Sequence, residues 1–262
     1  MKTSTIAVKS NRVKILFLLP ALLCGFAWTF SIENPDAKEI IRRAEDKLRG
    51  TSSEASMSMT IVRPKWERTL DFKTWSKGTE LAMILITGPA RDKGTAFLKK
   101  GKEVWNWQPS IERTIKLPPS MMMQSWMGSD FTNDDLVKES STVTDYTHKL
   151  LKDTTIQNRP CWTLELIPKE DAAVVWGKVI VMIDKKDYIQ MRGEFYDEDL
   201  YLVNIMQAGD IGMLDGKMLA KKVEMIPVDK KGHKTVIEYH SLVFNKEYPD
   251  EFFSVRQLKD LR

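Results

Sequence analysis

The sequence predicts a mostly β fold of the α+β class, an antiparallel open or half β-barrel of about eleven strands. Three observations predict it. Most of the chain after residue 55 consists of short runs in which apolar and polar residues alternate, the period of a β-strand. The runs are joined by short turns, such as Lys100-Gly101, so neighbouring strands should be antiparallel. A sheet of this many strands curls instead of staying open and flat.

One helix is predicted ahead of the strands. Asn34 is placed to cap it, Pro35 suits its first position, and Gly50 is a stop signal. Its apolar residues recur at helical spacing, at Ile40, Ile41, Ala44 and Leu48. This pattern predicts an amphipathic helix that can cover one face of the sheet.

The alternating runs then follow in chain order. The first group is SMSMTIV, WERTLDFKTW, TELAMILIT, GTAFLKK, KEVWNWQ and RTIKL. After an interruption they resume as VTDYTHKLL, CWTLELI, KVIVMID, YIQMRGEFYD, LYLVNIMQA, KMLAKKVEMIPV and HKTVIEYHSLVF. The C-terminal segment PDEFFSVRQL is predicted to be helical and to cover an edge of the sheet.

Several of these runs are apolar on both strand faces. In LAMILI (Leu81 to Ile86) the odd-numbered and the even-numbered residues are equally apolar, and VIVMI (Val179 to Ile183) is the same. A strand with one face in water should be polar on that face. Either the helix and an ordinary barrel core cover both faces, or the concave face lines an apolar ligand cavity. The residues alone leave both interpretations open.

The N-terminal segment has the pattern of a signal peptide. Basic residues precede the apolar run from Ile15 to Trp28, which Pro20 interrupts and which is too short to span a bilayer comfortably. We expect residues 1–31 to be cleaved. Residues 32–262 would then form one domain in the periplasm.

Removing that segment changes the charge balance. It contains four of the 40 Lys and Arg residues and none of the 36 Asp and Glu residues, so the remainder is formally neutral. The basic character of the full chain is then a property of the signal peptide, and a nucleic-acid partner is not expected. The mature chain keeps Cys161 alone, so no intramolecular disulfide is expected.

Residues that could carry catalysis or hold a metal are sparse. His233 and His240 lie an odd number of residues apart in one predicted strand, so they point to opposite faces. His148 and Asp145 are also at odd spacing, and Cys161 has no neighbouring base to activate it. The sequence contains no phosphate-binding glycine loop, nucleophile elbow or zinc-binding helix motif. We therefore expect no enzymatic activity, no bound metal and no cofactor.

The stretch SMMMQSWMGSDFTNDDL (Ser120 to Leu136) interrupts the strands. Its acidic half does not match a calcium loop, because Asp135 stands where such a loop needs glycine and Ser141 where it needs the final glutamate. Thr132 followed by amide and acidic residues is instead typical of a helix N-terminus. The sequence therefore predicts that a short helix begins here.

The methionines of this stretch could bind copper(I), but only Met123 and Met127 have a converging spacing. Start and stop signals predict another short helix over residues 120–127, in which Met122 with Trp126 and Met123 with Met127 form an apolar flank. A helix this short must dock by that flank, because propensity alone cannot stabilise it. The flank either covers a variable ligand or packs as ordinary core.

The order of these features resembles the LolA-like family of outer-membrane lipoprotein-sorting proteins. The segment FLKKGKEVWNWQPSIERTIKLP (Phe97 to Pro118) resembles the family's glycine turn followed by Trp-x-aromatic-x-Pro, and Ser120 to Leu136 resembles the form carried by a diverged branch. The likeness extends over essentially the whole mature chain. It implies an unclosed barrel with short lid helices over an apolar cavity that takes up acyl chains during transfer across the periplasm.

The resemblance also implies which residues contact the cargo. The candidate cavity and lid residues are Met83, Leu85, Trp105, Trp107, Met122, Met123, Trp126 and Met127. Carriers of the family use an Arg-Pro pair on an early strand, whose arginine holds the lid shut by hydrogen bonds. The nearest match found here is Gly88-Pro89 with Arg91 two residues on, which makes Arg91 a candidate lid latch.

The expected function is that of a periplasmic carrier that shields the acyl chains of a lipid or lipoprotein on the way to the outer membrane. Its partners would be those acyl chains, an inner-membrane donor or exporter, and an outer-membrane acceptor. Burial of acyl groups, at about 0.8 kcal/mol per CH₂, would drive binding. The alternatives are a lipid-binding accessory subunit of a resistance-nodulation-type exporter, an envelope structural protein with a filled barrel, and a copper chaperone.

Overall fold

One antiparallel sheet of 14 strands forms the framework of the protein in a computed structural model. The structure describes residues 1, 3, 35–137, 141–172 and 174–261, so nearly all of the predicted signal peptide lies outside the described residues. The mostly β fold with an open, curled sheet is confirmed. The strands are more numerous than the predicted count of about eleven, partly because strands as short as Thr154–Ile156 extend the sheet.

The described residues contain three α-helices, α1 (Ala37–Arg49), α2 (Asn133–Val137) and α3 (Val255–Asp260). The strands up to the interruption are β1 (Ser52–Arg63), β2 (Trp66–Lys77), β3 (Leu81–Gly88), β4 (Ala96–Lys100), β5 (Glu103–Gln108) and β6 (Arg113–Leu117). The strands after it are β7 (Tyr146–Leu150), β8 (Thr154–Ile156), β9 (Arg159–Pro168), β10 (Lys178–Asp184), β11 (Gln190–Tyr196), β12 (Leu202–Leu214), β13 (Lys217–Pro227) and β14 (Lys234–Phe244).

The strand order explains why the segment between β6 and β7 crosses the sheet. The first and last strands, β1 and β14, pair side by side in the middle, with Met59 opposite Ile237. From them the order runs outward to β6 on one side and to β7 on the other. The segment between Leu117 and Tyr146 therefore connects the two outer strands of the sheet.

The opening helix forms as predicted, with a different cap. Its N-cap is Asp36, whose side chain accepts a hydrogen bond from the backbone N–H of Lys38, while Asn34 lies outside the described residues. Gly50, at φ 62°, ends the helix and donates its N–H to the carbonyl of Asp46. Ile40 and Ile41 are buried in the main core, so the helix covers one face of the sheet.

Two clusters of apolar side chains lie on opposite faces of the sheet. The inner cluster includes the apolar face of α1 together with Ile84 and Ile86 of β3. The outer cluster consists of Trp75, Met83, Leu85, Ala96, Leu98, Phe253 and Leu258. Because successive residues of a strand point to opposite faces, β3 is apolar on both faces and is covered on both. The C-terminal segment supplies the outer cover through Phe253 and α3, where the sequence predicted a helix over an edge.

Candidate functional site

The first part of the segment that connects the two outer strands, residues 118–137, lies over the inner face, and we call it the lid segment. The predicted helix over residues 120–127 is wrong. Two 3₁₀ turns, Pro119–Met121 and Trp126–Gly128, take its place, and Met127 adopts a left-handed φ of 52°. The N–H of Trp126 donates instead to the carbonyl of Phe131 at 2.8 Å. Eight residues cannot sustain a helix alone, and this cross-link folds them into a compact loop.

The second predicted helix of the lid segment is confirmed as α2, and its N-terminus carries a reciprocal cap. The Oγ1 atom of Thr132 accepts the N–H of Asp135 at 3.1 Å, and Asp135 Oδ2 accepts the N–H of Thr132 at 2.8 Å. Trp176 Nε1 donates to the other carboxylate oxygen of Asp135 at 3.4 Å. Burial raises the pKa of the Asp135 carboxyl above its ordinary value, against the hydrogen bonds that lower it.

The lid segment docks by large apolar side chains. Trp126 is fully buried, and its ring centroid lies 5.8 Å from that of Phe72 and 5.4 Å from that of Phe97. Met122 is buried in the same inner cluster, and Met127 packs against it. Met123 is 58% exposed, because the turn that replaces the predicted helix directs it to solvent.

Charged groups tie the lid segment to the middle of the sheet. Arg63, at the end of β1, donates from Nη1 to Asp130 Oδ2 at 2.9 Å and from Nη2 to Asp130 Oδ1 at 3.0 Å. Its Nη2 also donates to the carbonyl of Gly128 at 3.1 Å, and Arg68 donates to the carbonyl of Met127. The side chains of Arg63 and Asp130 are 11% and 7% exposed, so this bidentate pair is largely shielded from water.

Asp130 is held from the neighbouring strand as well. The hydroxyl of Thr235, a fully buried residue of β14, donates to Asp130 Oδ2 at 2.7 Å and accepts the N–H of Asp130 at 2.9 Å. Asp130 therefore contacts both central strands, β1 through Arg63 and β14 through Thr235.

The lid segment is held by Arg63, whereas the resemblance pointed to Arg91 as the candidate lid latch. Arg91 is exposed in the turn between β3 and β4, whereas Arg63 is followed by Pro64 and ends the first strand. The signal missed in the sequence was the Arg63-Pro64 pair itself. The lid latch at Arg91 that the resemblance implied stays a prediction.

A cavity of about 310 Å³ lies between the lid segment, the end of α1 and the inner face of the sheet. Its apolar lining comes from many elements of the fold and includes Met57, Phe72, Ile84, Phe131, Met206 and Ile237. Polar groups at its wall include Arg49, Lys99 and the buried hydroxyl of Tyr239, whose pKa burial raises. The cavity is therefore apolar along most of its wall and carries a few polar groups, as small-molecule sites do.

The structure divides the predicted cavity residues on the strands. Met83 is one of the residues that line the cavity, and its side chain, like that of Leu85, is buried in the outer cluster. Trp105 and Trp107 share a strand face, as their spacing predicted, and both pack against the same outer cluster. The sequence could not assign the faces because both faces of β3 are apolar, and the structure turns Ile84 and Ile86 inward.

The candidate catalytic residues stay apart. His148 Nε2 lies 2.7 Å from the carbonyl of Thr142, and Cys161 is buried, which raises the pKa of its thiol. Among the described residues no group of three or more His, Cys, Asp or Glu side chains is arranged to hold a metal ion. In the same part of the chain, no helix has the length and apolar character needed to cross a membrane.

Solved structures share this fold. A putative outer membrane lipoprotein-sorting protein domain from Vibrio parahaemolyticus is 23% identical with a TM-score of 0.76, over 85% of this chain and 98% of that chain. A DUF1329 family protein from Desulfovibrio piger is 22% identical with a TM-score of 0.77, over 85% and 97%. A LolA superfamily protein from Nitrosomonas europaea is 24% identical with a TM-score of 0.73, over 84% and 98%.

Sequence comparison adds a family. No curated protein matches the chain. A family model described as "Uncharacterized protein" matches residues 78–260, a range that begins in the turn after β2 and ends with α3. The chain therefore belongs to the family that this model describes, and it shares its fold with these three solved structures.

Proposed function

We propose that this protein is a non-enzymatic periplasmic carrier that shields the acyl chains of a lipid or lipoprotein in the inner cavity. The observation that carries the proposal is an apolar cavity under a segment that Arg63 ties to the sheet. Residues 1–31 would direct export, and residues 32–262 would be the mature carrier, loaded by an inner-membrane donor and emptied at an outer-membrane acceptor. The similarity in fold to a putative outer membrane lipoprotein-sorting protein domain from Vibrio parahaemolyticus supports this assignment.

The size of the cavity supports a lid that moves. At about 310 Å³ the cavity is near the lower limit of ligand sites, which span about 300–1,000 Å³. Each acyl CH₂ that enters contributes about 0.8 kcal/mol, so affinity grows with the length of chain that the cavity can enclose. We therefore expect a full acyl chain to displace the lid segment from the inner face.

The closed lid carries features that favour such movement. Met127 holds a left-handed φ of 52°, which costs a non-glycine residue about 1–2 kcal/mol. The indole N–H of Trp126 is buried without a hydrogen-bond partner among the described residues. A shielded ion pair such as Arg63 with Asp130 positions the lid segment more than it stabilises it, because desolvation offsets much of the attraction.

Two measurements test the carrier function. The protein, exported and purified from the periplasm of a bacterial host, should yield co-purified lipid on organic extraction and mass spectrometry. It should also take up a fluorescent fatty acid in solution. Clean extracts together with no uptake would contradict the proposal, and would favour a barrel that is permanently filled.

A matched pair of variants locates the binding site. Val223 lines the cavity from β13, whereas Ile226 on the same strand is a half-buried residue outside the lining. Val223→Phe fills part of the cavity, so we expect weaker fatty-acid uptake with an unchanged fold by circular dichroism. Ile226→Phe should leave uptake as in the wild type. Equal uptake by both variants would place the ligand elsewhere.

A further inference from the structure

Three turns lie next to one another at one end of the sheet. They are residues 63–66 between β1 and β2, residues 228–233 between β13 and β14, and residues 197–201 between β11 and β12. The strand register places them together, because Val62 pairs with Lys234 and Pro227 pairs with Asn204. We call these turns the Trp66 end.

Large apolar side chains are exposed on all three turns. Trp66 is 51% exposed, Val228 is 50% exposed, and Leu200 and Tyr201 are 54% and 71% exposed. Single exposed apolar residues are common on any protein surface, but a group on adjacent turns marks a surface that meets another apolar phase. Trp and Tyr are the residues enriched where a bilayer meets water, because their rings are apolar with one polar edge.

The two turns nearest the lid segment are also basic. Three lysines, Lys65, Lys230 and Lys231, are exposed there, and the exposed acidic residues nearby are Glu67 and Asp229. Lys234, beside them, pairs with Glu224 at 3.3 Å. A groove of about 380 Å³ between these turns is lined by Arg63, Pro64, Lys65, Trp66 and His233. The groove therefore offers cations and an aromatic ring to an anionic headgroup.

This combination fits a bilayer better than a protein partner. Protein interfaces are depleted in lysine at their cores, whereas lysines beside aromatic residues are typical of surfaces that lie on anionic lipid. The acidic turn Asp197–Asp199 lies on the β11 side, away from the groove. The groove and Trp66 would therefore be the part of this end that meets the bilayer.

The same end holds the lid segment shut. The guanidinium of Arg63 lies 5.8 Å from the centroid of the Trp66 ring and hydrogen-bonds to Asp130 and Gly128 of the lid segment. The Trp66 ring therefore lies next to the residue that ties down the lid segment. We propose that the Trp66 end docks on the surface of an anionic bilayer and brings the lid segment next to the membrane, where cargo enters or leaves. The cargo step rests on the carrier function proposed above; the docking itself does not.

Vesicle flotation tests the docking. The protein exported and purified as above is mixed with vesicles of equal parts phosphatidylethanolamine and phosphatidylglycerol, or of phosphatidylcholine alone. We expect it to float with the first and only weakly with the second, and to detach as salt concentration rises. Lys230→Glu with Lys231→Glu should weaken flotation by at least about 30-fold, since loss of each lysine near an anionic surface removes about a factor of five and the two new carboxylates add repulsion. Trp66→Ser should weaken it by about tenfold.

Matched controls lie at the other end of the sheet. Lys100→Glu with Lys102→Glu changes the same charge in the turn between β4 and β5, and Met213→Ser removes an apolar side chain that is 55% exposed. Both should float like the wild type. Every variant has the same N-terminus, so differences between them report the substituted turns alone.

Fatty-acid uptake in solution separates this inference from the carrier function. The Lys230→Glu, Lys231→Glu variant should take up fatty acid like the wild type, because neither lysine lines the cavity. A wild type that takes up fatty acid but does not float would overturn the docking, as would Trp66-end variants that float as well as the controls. Flotation without uptake would contradict the carrier function and leave the docking standing.

Discussion

Strand β3 is apolar on both faces, and the two faces of the sheet there are covered in different ways. Over β3 and its neighbours the outer face is covered by the C-terminal segment, where Phe253 and Leu258 are fully buried and the ring centroids of Phe252 and Phe253 lie 5.2 Å apart in an aromatic cluster that includes Tyr248. The inner face is covered by α1 and by a lid segment that has little helix, is tied by Arg63 to Asp130, and leaves a cavity. An apolar face can therefore be filled by close packing, or it can be left partly open under a cover that is tied at a few points.

The largest effect should come from the outer face. Phe253→Ala removes a fully buried ring from a packed cluster, so we expect the free energy of unfolding to fall by about 3–5 kcal/mol. Chemical denaturation measures this loss. Val255→Ala, on the exposed side of α3, should change stability by less than about 0.5 kcal/mol. A small loss at Phe253 would mean that the outer cover is as loose as the lid.

Arg63→Ala should lower the free energy of unfolding by less than Phe253→Ala does, and it should loosen the lid segment. The substitution leaves Asp130 without its main partner, but the lid segment can open and hydrate the carboxylate, so the global loss should be about 1–3 kcal/mol. Limited proteolysis should cut residues 118–137 faster than in the wild type. Arg91→Ala is the control and should leave the cutting rate unchanged. Equal rates of proteolysis in the two variants would show that Arg63 does not hold the lid segment.

The smallest effect concerns the cap of α2. The pKa of Asp135 is raised in the folded state, so its contribution to stability falls as pH rises above about 4, the ordinary pKa of Asp, toward the raised folded value. Asn has the shape of Asp and cannot ionise, so the free energy of unfolding of Asp135→Asn should be within about 1 kcal/mol of the wild-type value. The stability of the variant should increase relative to the wild type as pH increases. Denaturation of both proteins between pH 4 and pH 8 measures this. Parallel stability curves would show that Asp135 titrates normally.

Much of the fold could be predicted from local patterns. The alternation along Ser56–Val62 and Trp66–Trp75, the short turns between runs, and the Gly50 stop of α1 all follow from rules that operate within a few residues. The cap at Thr132 is equally local and formed as predicted. The helix predicted over residues 120–127 does not form, because the hydrogen bond from Trp126 to Phe131 closes a loop that no helical spacing reveals.

The site was predicted less well, for a physical reason. Alternation places Met83 and Leu85 on one face of β3 and Ile84 and Ile86 on the other, but it cannot say which face turns inward when both are apolar. That choice depends on the pairing of β1 with β14 and on where α1 and α3 dock, contacts between residues far apart in the chain.

The sequence by itself predicts the strands, the curled antiparallel sheet, the amphipathic first helix and the capped α2, and it shows no recognisable catalytic motif. Each of these features depends on residues that are near neighbours in the chain. The three-dimensional structure assigns the inner face, makes Arg63 the partner of Asp130, and gathers Trp66, Lys230 and Tyr201 at one end of the sheet. Each of these joins residues that are distant in the chain, and strand register brings them together.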